Sequence, residues 1–118
     1  MSQPVMLVVD DEALIRMCAA EFAQEAGFEA LEAGNAGEAL AALEMRNDVS
    51  ILFTDVAMPG EMDGLALARQ VRARWPHIAV MITTGATTRL DNEFSLLPKP
   101  YGLADFLKAI DTMISSSS

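Results

Sequence analysis

A single cysteine, Cys18, stands among the 118 residues. That excludes an intramolecular disulfide and leaves a zinc cluster without its usual ligands. Its place in an apolar helical pattern predicts a buried, structural thiol. Basic residues are scarce, 8 Lys and Arg against 17 Asp and Glu, for a formal charge of −9. Nucleic acid and anionic membrane both require a basic stripe, so neither is an expected partner. Most of the acidity serves solubility. No apolar run approaches membrane-spanning length, and no basic amino end precedes an apolar segment. The expectation is a protein of the cytoplasm. The sequence also lacks a Ser–His or Cys–His pair and any Gly-rich loop of the nucleotide-binding kind.

What is present is an ordinary globular composition, 52% hydrophobic and 21% charged, long enough for one domain over residues 1–118 with a single core. Apolar runs of strand length alternate with helical periodicity. Val5 to Val9 reads as a strand buried on both faces. The helix after it places Leu14, Met17, Cys18 and Phe22 inward and ends at Gly27. Glu29 to Ala33 reads as a polar edge strand. Asn35 and Glu38 resemble a capping box for a helix that turns Ala39, Leu40, Leu43 and Met45 inward. Ile51 to Asp55 is the most apolar strand, and Pro59-Gly60 breaks the chain beyond it. A third helix, marked by Leu65, Leu67, Ala68, Val71 and Trp75, stops at Pro76. Ile78 to Thr84 and Phe94 to Leu97 are the last strands. A final helix uses Leu103, Phe106, Leu107, Ile110, Met113 and Ile114, and Ser115 to Ser118 form a frayed tail. This alternation predicts a parallel sheet with helices on both faces.

In such a sheet every strand-to-helix loop opens at one edge, where ligands bind. Asp10, Asp11, Asp55, Thr84 and Lys99 all fall there. His77, the only histidine, falls at the opposite end and reads as a loop residue. Clustered carboxylates repel one another unless a cation joins them, and an all-oxygen set suits Mg²⁺. Thr84 offers a hydroxyl donor and Lys99 a compact cation for a phosphoryl oxygen. A carboxylate nucleophile beside a divalent metal fits formation of an aspartyl phosphate.

Over nearly its whole length the chain resembles the receiver domains of two-component response regulators, most closely the single-domain, chemotaxis-regulator-like kind. Asp10-Asp11-Glu12 is similar to the family's acidic pair, Asp55-Val56-Ala57-Met58-Pro59 to its phosphoacceptor motif, and Met62-Asp63-Gly64 to the start of its third helix. Thr84-Gly85 and Lys99-Pro100 match the remaining motifs, with Thr84 preferred to Thr83 because it ends the strand directly before a small residue. The resemblance implies a flavodoxin-like (βα)5 three-layer sandwich of strand order 2-1-3-4-5, with a cis Lys99-Pro100 bond. It implies Asp55 as phosphoacceptor, with Thr84 and Lys99 contacting the phosphoryl group. Asp10, Asp11, Asp55 and the Ala57 carbonyl oxygen would hold Mg²⁺. The implied donor is a histidine kinase or histidine phosphotransfer protein, and the implied state is a monomer or weak dimer that catalyses only its own phosphorylation and dephosphorylation.

Two departures stand out. The segment between Thr84 and Lys99 is short, so a truncated or missing fourth helix is expected. Leu96 occupies a position that is often aromatic. Three alternatives remain open: an interaction module that needs no phosphate, a receiver excised from a hybrid histidine kinase, and a metal-dependent phosphatase. The last is disfavoured because Ala57 stands where a second acid–base Asp would be needed.

Overall fold

Val5–Val9 forms β1 with all five side chains buried, as a continuous β-branched and apolar run demands at the centre of a parallel sheet. The computed structural model describes residues 3–57, 62–85 and 94–116. After β1 come α1 (Ala13–Glu25), β2 (Glu29–Ala33), α2 (Ala36–Met45), β3 (Val49–Asp55), α3 (Gly64–Arg74), β4 (Ala79–Thr84), β5 (Ser95–Pro98) and α4 (Leu103–Ser116). The strands lie in the order β2-β1-β3-β4-β5, and every neighbouring pair is parallel. This is the expected flavodoxin-like arrangement, with four helices among the described residues. The Lys99-Pro100 bond is cis.

The two-residue period of the strands divides the core in two. Val5, Leu7 and Val9 of β1 face one way with Leu52, Val80 and Ile82, and α2 and α3 cover them. Met6 and Val8 face the other way with Phe53, Met81 and Leu97, under α1 and α4. Against β1, β3 carries one extra residue, since Val5 pairs with Val49 and Met6 with Ile51. Such a bulge resets the alternation ahead of the buried stretch that ends at Asp55. Gly27 closes α1 at φ 94°, a left-handed conformation that favours glycine. Asn35 Oδ1 accepts from the Glu38 amide at 2.8 Å, and Glu38 Oε1 accepts from the Gly34 amide at 2.7 Å. The capping exchange is thus displaced by one residue from the expected box.

The helices differ from expectation in which face they bury. In α1 the buried residues are Ala19, Ala20 and Ala23, whereas Leu14 and Met17 are exposed. Cys18 is exposed as well, which corrects the expectation of a buried thiol. In α2, Ala36, Ala39 and Leu43 face the sheet, and Met45 is 87% exposed. At 100° per residue Leu14, Met17 and Met45 fall on the side of their helices opposite the small-residue stripe that packs on the sheet. The expected inward set of α4 also divides: Phe106, Ile110 and Met113 are buried, while Leu103, Leu107 and Ile114 are exposed. Ser115 and Ser116 are the last residues of α4, and the remainder of the expected frayed tail, residues 117–118, lies outside the described residues. The expected truncation of a fourth helix falls on residues 86–93, outside the described residues. No helix among the described residues is long and apolar enough to cross a membrane.

Candidate functional site

Parallel strands bring residues distant in sequence to one edge, and three carboxylates meet there. Asp10 directly follows β1 and Asp55 ends β3, exposed by 3% and 5% respectively. Asp11 is open to solvent. One oxygen from each lies within 4.8 Å of the others. Lys99, just past β5, donates from Nζ to Asp55 Oδ2 at 3.2 Å and to Asp10 Oδ2 at 3.5 Å. Thr84, the last residue of β4, accepts the Lys99 amide at its carbonyl oxygen at 3.0 Å. The topology therefore gathers the predicted edge residues, and it leaves His77 exposed at the far end of the sheet.

Local hydrogen bonds orient the carboxylates. Asp10 Oδ1 accepts from the Glu12 amide at 2.9 Å. Asp55 Oδ1 accepts from the Ala57 amide at 3.3 Å. Residues 58–61 of the following loop lie outside the described residues. Asp63 Oδ1 then caps α3 through the Ala66 amide at 2.9 Å, a typical N-cap contact. Gly64 donates its amide to the Val56 carbonyl at 2.9 Å, which seats α3 on the backbone around Asp55.

Burial raises the pKa of Asp55, and Asp10 adds to the rise, while Lys99 and the Ala57 amide oppose it. For Lys99, burial works to lower the pKa, but Asp55 and Asp10 together outweigh it and raise it. Each group thus holds the other in a poorly solvated place. Three carboxyl groups stand against one ammonium at this edge. The hard, all-oxygen donor set, one member of it open to water, fits a divalent cation such as Mg²⁺ that retains several waters.

Sequence reasoning missed three features. Arg16 Nη1 donates to the Asp10 carbonyl at 2.9 Å, and its Nε donates to Glu32 at 3.0 Å. The available signal was a basic residue one helical turn beyond Glu12. Tyr101 packs edge-on to Phe53 and Phe22, and its hydroxyl is pushed up to about 12, first by burial and then by Asp10 and Asp55. Thr83 pairs with Asp55 in the register, and its buried Oγ1 has no hydrogen-bond partner among the described residues. No pattern in the sequence singles out that hydroxyl.

The model of a family described as the response regulator receiver domain matches residues 6–111. The DNA-binding transcriptional regulator NtrC of Salmonella typhimurium is 34% identical over 98% of this chain, which spans 26% of that protein. The sensor kinase CckA of Brucella abortus is 34% identical over 92% of the chain, and the chain spans 12% of it. Among solved structures, a response regulator receiver domain protein from Clostridium thermocellum superposes with a TM-score of 0.82 at 30% identity, covering 96% of this chain and 95% of that one. The chemotaxis response regulator CheY4 of Vibrio cholerae superposes with a TM-score of 0.84 at 25% identity, covering 95% and 99%.

Proposed function

The chain belongs to the response regulator receiver domain family, and from that premise we propose that Asp55 accepts a phosphoryl group from a phosphohistidine. The observation that carries this reading is a nearly buried carboxylate paired with an ammonium at 3.2 Å, beside two further carboxylates. An Asp55 oxygen attacks phosphorus, the P–O bond forms as the P–N bond breaks, and the electron pair goes to the imidazole nitrogen, which takes a proton. Lys99 exchanges its contact with Asp55 for one with a phosphoryl oxygen, and the Thr84 hydroxyl donates to another. Asp10, Asp11, Asp55 and the carbonyl oxygen of Ala57 would hold Mg²⁺. When bound, the ion neutralises charge that gathers on the phosphoryl oxygens.

The donor in this reading is a histidine kinase or histidine phosphotransfer protein in the cytoplasm. Beside the site, Leu14, Cys18, Phe22, Pro100 and Tyr101 line a cavity of about 340 Å³ that reaches Lys99. Leu14 is 78% exposed and Met17 and Cys18 are exposed beside it on α1, and contiguous apolar exposure of this kind marks interaction surfaces. An apolar partner helix laid on this face would present its histidine to Asp55. Phosphorylation then biases a two-state equilibrium at the β5 and α4 surface, where Leu96 and Leu107 are exposed.

Incubation with a small acyl phosphate and Mg²⁺, read by intact mass, tests the assignment. One phosphoryl group should add to the wild type and none to Asp55→Asn. Labelling of Asp55→Asn at another residue, or none of the wild type, would remove Asp55 from this role.

A further inference from the structure

Asp10 is held by more than its place after β1. Its amide donates to the Ala33 carbonyl at 3.2 Å, which extends the β1–β2 ladder by one step. Its carbonyl oxygen accepts from Arg16 Nη1 at 2.9 Å. Arg16 is itself fixed, since its Nε donates to Glu32 Oε1 on β2 at 3.0 Å. The guanidinium passes over Gly34, with Nη1 3.4 Å from where a Cβ at that residue would stand. A planar fork with donors on two sides suits this double contact, which a single ammonium cannot span.

The choice of acceptor matters. A cation one turn from three carboxylates would ordinarily pair with them and compete with a metal ion. Here Glu32 diverts Arg16 to a backbone oxygen, and the carboxylate oxygens remain directed to one another. We propose that Arg16, held by Glu32, is a positioning residue that fixes the Asp10–Asp11 turn in the conformation that receives the divalent cation. This rests on the reading of Asp10, Asp11 and Asp55 as the Mg²⁺ ligands.

Charge and geometry make opposite predictions for Arg16. Removing a positive charge near the site strengthens attraction for a cation. Releasing the turn spreads the carboxylates and weakens binding, by about tenfold for groups that orient metal ligands. Titration calorimetry of the full chain with Mg²⁺ should show Arg16→Met binding about tenfold more weakly than wild type. Arg16→Lys, which keeps the charge but not the fork, should also bind more weakly. In chelator, with no metal present, the Glu12 amide should exchange its hydrogen faster in both variants, because its acceptor Asp10 is loosened. Equal or tighter Mg²⁺ binding by Arg16→Met would overturn the inference, since charge alone would then describe Arg16. Should Arg16→Met fail to fold, Arg16→Lys decides on the same terms, and wild-type affinity in that variant would overturn it. A wild-type protein that binds no Mg²⁺ would sink the functional reading, and the inference with it.

Discussion

Gly64 at the start of α3 lies so close to Asp55 that a Cβ there would stand 2.6 Å from the Asp55 carbonyl carbon and 2.9 Å from the Val56 Cα. The obstacle is backbone at the end of a central strand, which cannot rotate away as a side chain would. Gly64→Ala should therefore cost about 3 kcal/mol, at the upper end of overpacking. Urea denaturation measures this. A loss below about 1 kcal/mol would mean that α3 shifts freely relative to Asp55.

Asp55→Asn should stabilise the metal-free protein at neutral pH. Burial, aided by Asp10, raises the Asp55 pKa despite Lys99, so the folded state binds this proton more tightly than the unfolded state does. The group's contribution is fully present below its unfolded pKa of about 3.9 and is lost as pH rises through the folded value. A neutral amide escapes that loss. In chelator, the melting temperature of Asp55→Asn should exceed wild type by a few degrees at neutral pH, with the difference shrinking on acidification. A lower melting temperature at neutral pH would show that the ion pair with Lys99 outweighs burial.

Tyr101 is the only tyrosine, so tyrosinate absorbance reports it alone. Its folded pKa is pushed up to about 12 by burial and the nearby Asp10 and Asp55. In denaturant the midpoint should fall to about 10. The sign is that of a raised pKa: the stabilisation is complete below the unfolded value and disappears as pH rises towards 12. A native midpoint equal to that in denaturant would show the ring to be solvated.

Thr83→Val should leave stability unchanged or raise it by about 1 kcal/mol. The buried Oγ1 has no partner among the described residues, and an unsatisfied hydroxyl costs about 1–3 kcal/mol to desolvate. Valine fits a strand and carries no such cost. Denaturant midpoints decide the matter, and a loss above about 1 kcal/mol would mean the hydroxyl bonds a buried water in solution.

The strands and the residues at their ends were legible in the sequence because they are local signals. Val5–Val9 and the run ending at Asp55 are apolar over lengths too short for a helix, and each is followed by polar or chain-breaking residues. Alternation with helices then placed Asp10, Asp11, Asp55, Thr84 and Lys99 at one edge without a coordinate. The buried faces of the helices were not legible. Leu14, Met17, Cys18 and Met45 satisfy a helical period as well as Ala19, Ala23 and Ala39 do, and hydrophobicity favours the larger set. Only the packing of helix on sheet assigns the alanines inward. The same holds for contacts between residues far apart in the chain. The hold of Glu32 on Arg16 and the bridge from Lys99 to both carboxylates depend on how twisted, parallel strands align. That alignment is a property of the packed sheet and is absent from any one segment.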